Sequence, residues 1–315
     1  MGLRILVYHN RYAAEFVAEL EKHFPGHVFV ATGDAEMVKA EIGQTDILIA
    51  TGQGFPREAL AQARRLKYLQ STSAGIDWVM NSPLPEEVLL CRAEGVHDQP
   101  VAEYVAGNIL ADCLFLHDVA KQQSARTWKR PLRLMAAGRR VGVVGLGMVG
   151  RAIAAKLKAL DMTVTAIDSR PVTCDGLDRV YALSDMAFFL SEPDYVVLSV
   201  PLNEGTRGMF GLAQFKQMRP SAVLVNVSRG PVVRETDLVF ALKQGVIAKA
   251  ILDVFVDEPL PEGSELWALP NAVITPHMAG FVAGHDHFMG LLVENLTAFL
   301  AGGPLKGRVD RKTGY

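Results

Sequence analysis

Residues 139–150 read RRVGVVGLGMVG. Val141, Val143 and Val144 mark an apolar strand, and the run closes on Gly145, Gly147 and Gly150, spaced G-x-G-x-x-G. A helical pattern follows at once, RAIAAKLKAL. Strand, glycine turn and helix in that order make a site for a pyrophosphate. The first glycine serves the tight turn, the second lets backbone approach the phosphates, and the third lets helix and strand pack closely. The start of the helix offers unpaired N–H groups and a partial positive charge. Met148 and Val149 would face the pyrophosphate, and Arg151 is placed to add an ion pair. The next apolar run, TVTAID, ends in Asp168, 18 residues after Gly150. A carboxylate there accepts the ribose hydroxyls and repels a 2′-phosphate, which favours NAD. Arg170 beyond Ser169 can bind such a phosphate, so NADP stays possible.

Working outward, short apolar runs alternate with amphipathic stretches along all 315 residues. That alternation predicts parallel sheets with crossover helices, and the length predicts two domains. Strands are expected at 4–10, 27–32, 46–51, 67–72 and 88–93, then at 139–145, 163–168, 195–200, 222–228, 250–255 and 272–276. The stretch 101–123 reads as one long helix leaving the first sheet, and 284–301 as a final helix.

Composition excludes several classes of function. Half the residues are apolar and the net charge is −2, so no overall field attracts nucleic acid or a membrane surface. No apolar run is long enough to span a bilayer, and the N-terminus reads as a buried strand, not a signal peptide. Cys91, Cys113 and Cys174 form no C-x-x-C and are expected to be reduced core thiols in a cytoplasmic protein. Between Asp118 and Asp161 there are ten basic residues and no acidic one, which reads first as a solvated or subunit-facing arm. His285-Asp286-His287 points its histidines to different sides of a helix, so no metal is expected.

In open parallel sheets ligands bind beyond the carboxyl ends of the strands. Arg229 follows the run AVLVNVS, Asp253 stands in AILDVF with Glu258 after it, and His277 follows AVITP. Alone, each has an ordinary structural role to play. Together, beside a dinucleotide site, they are the parts for hydride transfer to an α-keto acid. Arg229 can clamp a carboxylate and polarise the carbonyl. His277 can give a proton to the carbonyl oxygen, and Glu258 can orient its ring and favour its charged form.

GLGMVG, SVPLNEGTRGMF (199–210), NVSRGPVV (226–233), AILDVFVDEPLP (250–261) and LWALPNAVITPH (266–277) resemble the D-isomer-specific 2-hydroxyacid dehydrogenase family, as do STSAGIDWV (71–79) and HDQPVAEYV (97–105). The likeness covers essentially the whole chain and is nearest to the glyoxylate and hydroxypyruvate reductase branch. It implies a Rossmann nucleotide-binding domain, 99–281, inserted in a split flavodoxin-like substrate domain, 1–98 plus 282–315. Crossing segments would act as a hinge. It implies reduction of a small 2-keto acid by NAD(P)H with Arg229, Glu258 and His277 as the catalytic set. Backbone amides of Ser73, Ala74 and Gly75 would hold the substrate carboxylate. Asp253 would contact the nicotinamide carboxamide, and Val200, Pro201, Asn203, Thr206, Val227 and Ala279 would line the cofactor. The arm around 103–140 would carry a homodimer contact. The same fold also serves nicotinamide-sensing, corepressor-like binding proteins, which is the alternative reading. Arg234 and Lys249 depart from the family pattern without touching the proposed chemistry.

Overall fold

Strands that read as unbroken apolar runs need both faces covered, and parallel sheets flanked by helices supply that. The computed structural model, which describes residues 2–311 except 81, 171, 172, 175 and 285, divides into two compact units, Met1–His97 with Val282–Tyr315 and Asp98–Phe281.

The first unit holds β1 (Arg4–Tyr8), β2 (Val28–Thr32), β3 (Ile47–Ala50), β4 (Tyr68–Ser71) and β5 (Leu89–Cys91) in the order β2-β1-β3-β4-β5, every pair parallel. That is the flavodoxin-like order. Alternate side chains feed two cores. Leu6, Tyr8, Leu48 and Leu69 enter one, while Ile5, Val7, Ile47 and Ile49 enter the other. The last helix, Asp286–Ala301, puts Phe288, Met289, Leu292 and Leu296 into the second core. A buried amide fixes its register. Asn295 donates to Gln70 Oε1 (2.8 Å) and Lys306 O (2.9 Å), and its own oxygen accepts the Lys306 N–H (2.9 Å).

The second unit holds β6 (Arg140–Val144), β7 (Thr163–Asp168), β8 (Arg179–Ala182), β9 (Tyr195–Leu198), β10 (Val223–Asn226), β11 (Lys249–Leu252) and β12 (Ala272–Ile274). Their order, β12-β11-β10-β9-β6-β7-β8, is doubly wound and parallel throughout. The order reverses between β6 and β9, so the crevice expected for a nucleotide opens at the end of β6. Helices Asp98–Cys113 and Met148–Lys158 share one face of this sheet. They contribute Val101, Val105, Ile109, Ile153 and Leu157 to a core with Val143, Val197 and Ile251.

Two expectations change. β8 escapes the sequence reading because it is an edge strand of four residues with one buried side chain, and so lacks an apolar run. The long helix over 101–123 is two helices, Asp98–Cys113 and Leu116–Ser124, broken at Phe115, which takes a left-handed φ of 56°. Apolar periodicity runs through the break, but Leu116 and Val119 stay half exposed and the second helix buries nothing. Cys91 and Cys113 are buried free thiols, whereas Cys174 sits partly exposed in the loop after β7. His285 lies outside the described residues. Among those described, no three ligating side chains form a metal cluster, and no helix is long and apolar enough to cross a membrane.

Asn295 is 1% exposed, and its removal takes a donor from the buried Gln70 side chain and the partner from both the Lys306 N–H and carbonyl. Asn295→Ala is expected to lower stability by about 2–3 kcal/mol, read from the denaturant midpoint at unchanged m-value.

Candidate active site

At the carboxyl end of β6 the chain turns sharply. Gly145 has φ of 94°, and a Cβ there would stand 2.9 Å from the Ser199 carbonyl oxygen at the end of β9. A Cβ on Gly150 would fall 2.0 Å from Gly145 O, so the helix can approach the strand only without one. Gly147, extended at φ −68° and ψ −170°, precedes the helix, and a Cβ on it would meet nothing within 4 Å. Gly147 and Met148 are exposed and Val149 is half-buried. Open space over a glycine turn at a helix start fits a dinucleotide pyrophosphate.

Asp168 ends β7 almost buried, at 8% exposure. It accepts the N–H of Leu146 (2.7 Å), within the glycine turn, and the N–H of Arg170 (2.9 Å). Burial alone would raise its carboxyl pKa. The two N–H groups and the Arg170 guanidinium, 3.4 Å away, outweigh that and hold it below the usual value. Ser169 and Arg170 are exposed. Arg151, expected to pair with phosphates, instead donates to the carbonyls of Leu146 (3.1 Å) and Thr173 (3.1 Å), clipping the loop after β7 to the glycine turn. After β9, the side chains of Asn203 and Thr206 are spent on their own loop. Thr206 Oγ1 donates to Pro201 O (2.5 Å), and Asn203 Oδ1 accepts the Thr206 N–H (3.0 Å). Val200 and Val227 are half-buried at this edge and Pro201 is exposed.

The ionisable set gathers at the ends of β10, β11 and β12. Asn226, buried at the tip of β10, accepts the hydroxyl (2.7 Å) and N–H (3.1 Å) of Ser228 and donates to Arg229 O (3.3 Å). That network sets the turn from which Arg229 projects, with one guanidinium nitrogen on Ser228 O (2.7 Å). Gly230 then lies flat against the neighbouring loop. A Cβ on it would overlap the Phe255 carbonyl at 1.9–2.0 Å. The Phe255 N–H bonds Glu258 Oε1 (3.0 Å), and Glu258 Oε2 meets His277 Nδ1 at 2.7 Å. A carboxylate only accepts, so Nδ1 carries the hydrogen and Nε2 is left for other partners. Burial would raise the Glu258 pKa. The His277 bond, the Phe255 N–H and the charges of His277 and Arg229 together depress it, so both cations act on the Glu258 carboxylate.

His277 itself sits at φ of 48°. For a residue other than glycine this costs about 1–3 kcal/mol and persists only where neighbours enforce it. The enforcing group is Asp253, 1% exposed after β11. Its Oδ1 accepts the Thr275 hydroxyl (2.6 Å) and the Met278 N–H (2.9 Å), and its Oδ2 accepts the Ala279 N–H (2.8 Å). The carboxylate expected to meet a carboxamide is thus occupied in staking down the loop on both sides of His277. Asn226 and Thr275 escape the sequence reading. The available signal is a polar residue at the tip of an otherwise apolar run.

Ser73, Ala74 and Gly75 belong to the first unit, at the carboxyl end of β4. Ser71 Oγ accepts the Ser73 N–H (3.0 Å) and donates to Ser73 O (3.2 Å), so one of the three expected amides is committed within its own turn. Among the described residues the Ala74 and Gly75 amides bond to nothing else in the chain.

Residues 106–279 match the model of the D-isomer specific 2-hydroxyacid dehydrogenase NAD binding domain. The chain is 32% identical to glyoxylate/hydroxypyruvate reductase A of Serratia proteamaculans, over 82% of this chain and 85% of that one. A crystal structure of a D-isomer specific 2-hydroxyacid dehydrogenase family protein from Aeromonas salmonicida subsp. salmonicida superposes with a TM-score of 0.91 at 30% identity, covering 98% of this chain and all of that one. An NADPH-dependent glyoxylate/hydroxypyruvate reductase from Sinorhizobium meliloti, solved with NADP and sulfate, gives 0.87 at 26% identity over the whole of both chains.

Glu258 has its pKa depressed on folding, so its stabilising contribution exists above the ordinary value of 4.5 and is lost as pH falls through the lower, folded value. Glu258→Gln is therefore expected to be less stable than wild type at about pH 5.5, with the difference shrinking steadily as the pH falls below about 4.5, followed by thermal melts across that range.

Proposed function

The chain belongs to the D-isomer specific 2-hydroxyacid dehydrogenase family, NAD(P)-dependent oxidoreductases, and from that premise we propose that it reduces a small 2-keto acid of the glyoxylate or hydroxypyruvate kind to the D-2-hydroxy acid. The observation that carries the reading is the 2.7 Å bond between Glu258 and His277 within reach of the Arg229 charge.

When bound, the nicotinamide supplies the hydride. The chain's own residues do the rest. Gly145, Gly147 and Gly150 with the helix start receive the pyrophosphate, and Asp168 receives the adenine ribose. Arg229 takes the substrate carboxylate through paired N–H donors and draws electron density from the carbonyl. His277, its Nδ1 held by Glu258, turns Nε2 toward the carbonyl oxygen and hands over a proton as negative charge develops there. Ala74 and Gly75, whose amides carry no backbone bond among the described residues, are the stronger candidates of the three for donors to a carboxylate. The ionised, buried Asp168 favours NAD. The Arg170 guanidinium beside it offsets part of that charge, so NADP is tolerated, consistent with NADP bound in the Sinorhizobium meliloti relative.

We also propose a homodimer working in the cytoplasm. Trp128, Leu132 and Met135 are 95%, 91% and 66% exposed on the segment after the broken helix, beside half-exposed Leu116 and Val119. Apolar side chains that bare mark a covered face. The buried, unbridged thiols of Cys91 and Cys113 suit a reducing compartment.

A panel of 2-keto acids with NADH and NADPH tests the activity. Turnover with glyoxylate or hydroxypyruvate and a higher kcat/KM with NADH are expected, whereas no oxidation with any acid would favour a nicotinamide-sensing protein. His277→Ala is expected to lower kcat by about 10²–10⁴. Leu132→Asp is expected to convert a dimer to a monomer in light scattering. Unchanged mass would place the interface elsewhere.

A further inference from the structure

A chain of hydroxyls that starts on another element leads to Asp253, the carboxylate bonded to the loop on both sides of His277. Tyr104 stands in the middle of the helix Asp98–Cys113, and its phenol lies 2.6 Å from Thr275 Oγ1 across 171 residues of sequence. Thr275 Oγ1 lies 2.6 Å from Asp253 Oδ1. The direction of these bonds follows from chemistry. Asp253 already accepts two backbone N–H groups and, as a carboxylate, has no proton to give, so the threonine donates to it. The threonine hydrogen is then spent, and Tyr104 must donate to the threonine oxygen. Burial, reinforced by the Asp253 charge and opposed by the Thr275 bond, pushes the tyrosine pKa up to about 12, which keeps that donor in place.

We infer that Tyr104 is a positioning residue for proton transfer. By fixing the Thr275 hydroxyl it fixes the Asp253 carboxylate, and through the Met278 and Ala279 amides it holds the left-handed turn that aims the His277 ring. The inference rests on the reading of His277 as the proton donor and deepens it. No contact between Tyr104 and His277 is needed. A cooperative chain of three bonds, each polarising the next, transmits the constraint. Without its phenol the threonine hydroxyl can still reach Asp253 but loses the partner that orients it, and a small error in aim is costly to a reacting pair.

Tyr104→Phe removes one oxygen and leaves the ring, so the fold is preserved. The measurement is the single-turnover rate of NADH oxidation by the holoenzyme with saturating glyoxylate, beside the NADH Kd and the melting temperature. The variant is expected to slow that rate about 3- to 10-fold while the NADH Kd stays within about twofold. Thr275→Ser, which keeps a hydroxyl, is expected to retain the wild-type rate within about twofold, and Thr275→Val to lose at least as much as Tyr104→Phe. The double variant Tyr104→Phe/Thr275→Val should be no slower than Thr275→Val alone, because both act through one chain. A wild-type rate in Tyr104→Phe, or multiplicative losses in the double variant, would overturn the proposal. His277→Ala is run in parallel. If it keeps the wild-type rate, the proton-donor reading falls and takes this proposal with it. If it is inactive while Tyr104→Phe is unimpaired, only the positioning role falls.

Discussion

A buried carboxylate must be met by donors, and at Asp253 the donors are the two amides and the hydroxyl of a single loop. Nearly everything at the candidate active site depends on that requirement. The loop cannot relax its left-handed turn at His277 without leaving a charge unsatisfied in the interior. The penalty of backbone strain is therefore offset by the larger penalty of an unmatched ion. The imidazole is delivered to one place by a residue that bonds to the loop on either side of it.

The same logic recurs at the tip of the adjacent strand. Asn226 is an amide among apolar neighbours, and it organises Ser228 and the Arg229 carbonyl much as Asp253 organises its own loop. The two polar anchors are neighbours in the sheet, and the Asp253 N–H donates to Asn226 O (3.1 Å). Parallel strand order brings both to one edge. The glycine turn at β6 opens on that edge too, at the point where the order of strands reverses.

Much of this is legible in the sequence, because strands with both faces buried announce themselves as apolar runs, and a glycine repeat set between strand and helix is seldom anything but a phosphate-binding turn. The ends of those runs point to Arg229, Glu258 and His277, and the structure brings Glu258 and His277 into a hydrogen bond. What stays hidden is what depends on distant pairing. The Tyr104–Thr275 bond spans 171 residues, and no local pattern signals it. The break at Phe115 is hidden because an apolar residue looks the same to a periodicity whether its partner is its own core or something outside it. Charge alone points Arg151 at phosphates, yet geometry sends it to two carbonyls, since a helix side chain reaches back along the axis toward the preceding turn. β8 is missed because an edge strand need not be apolar.

The bare Cα of Gly230 against the Phe255 carbonyl binds the histories of two segments together. Neither can lengthen, shorten or acquire bulk unless the other shifts in step, so natural drift through this region has to proceed by paired changes or not at all. A designer seeking a new substrate range would meet the same wall, and would do better to leave both segments intact and diversify loops that carry no such interlock.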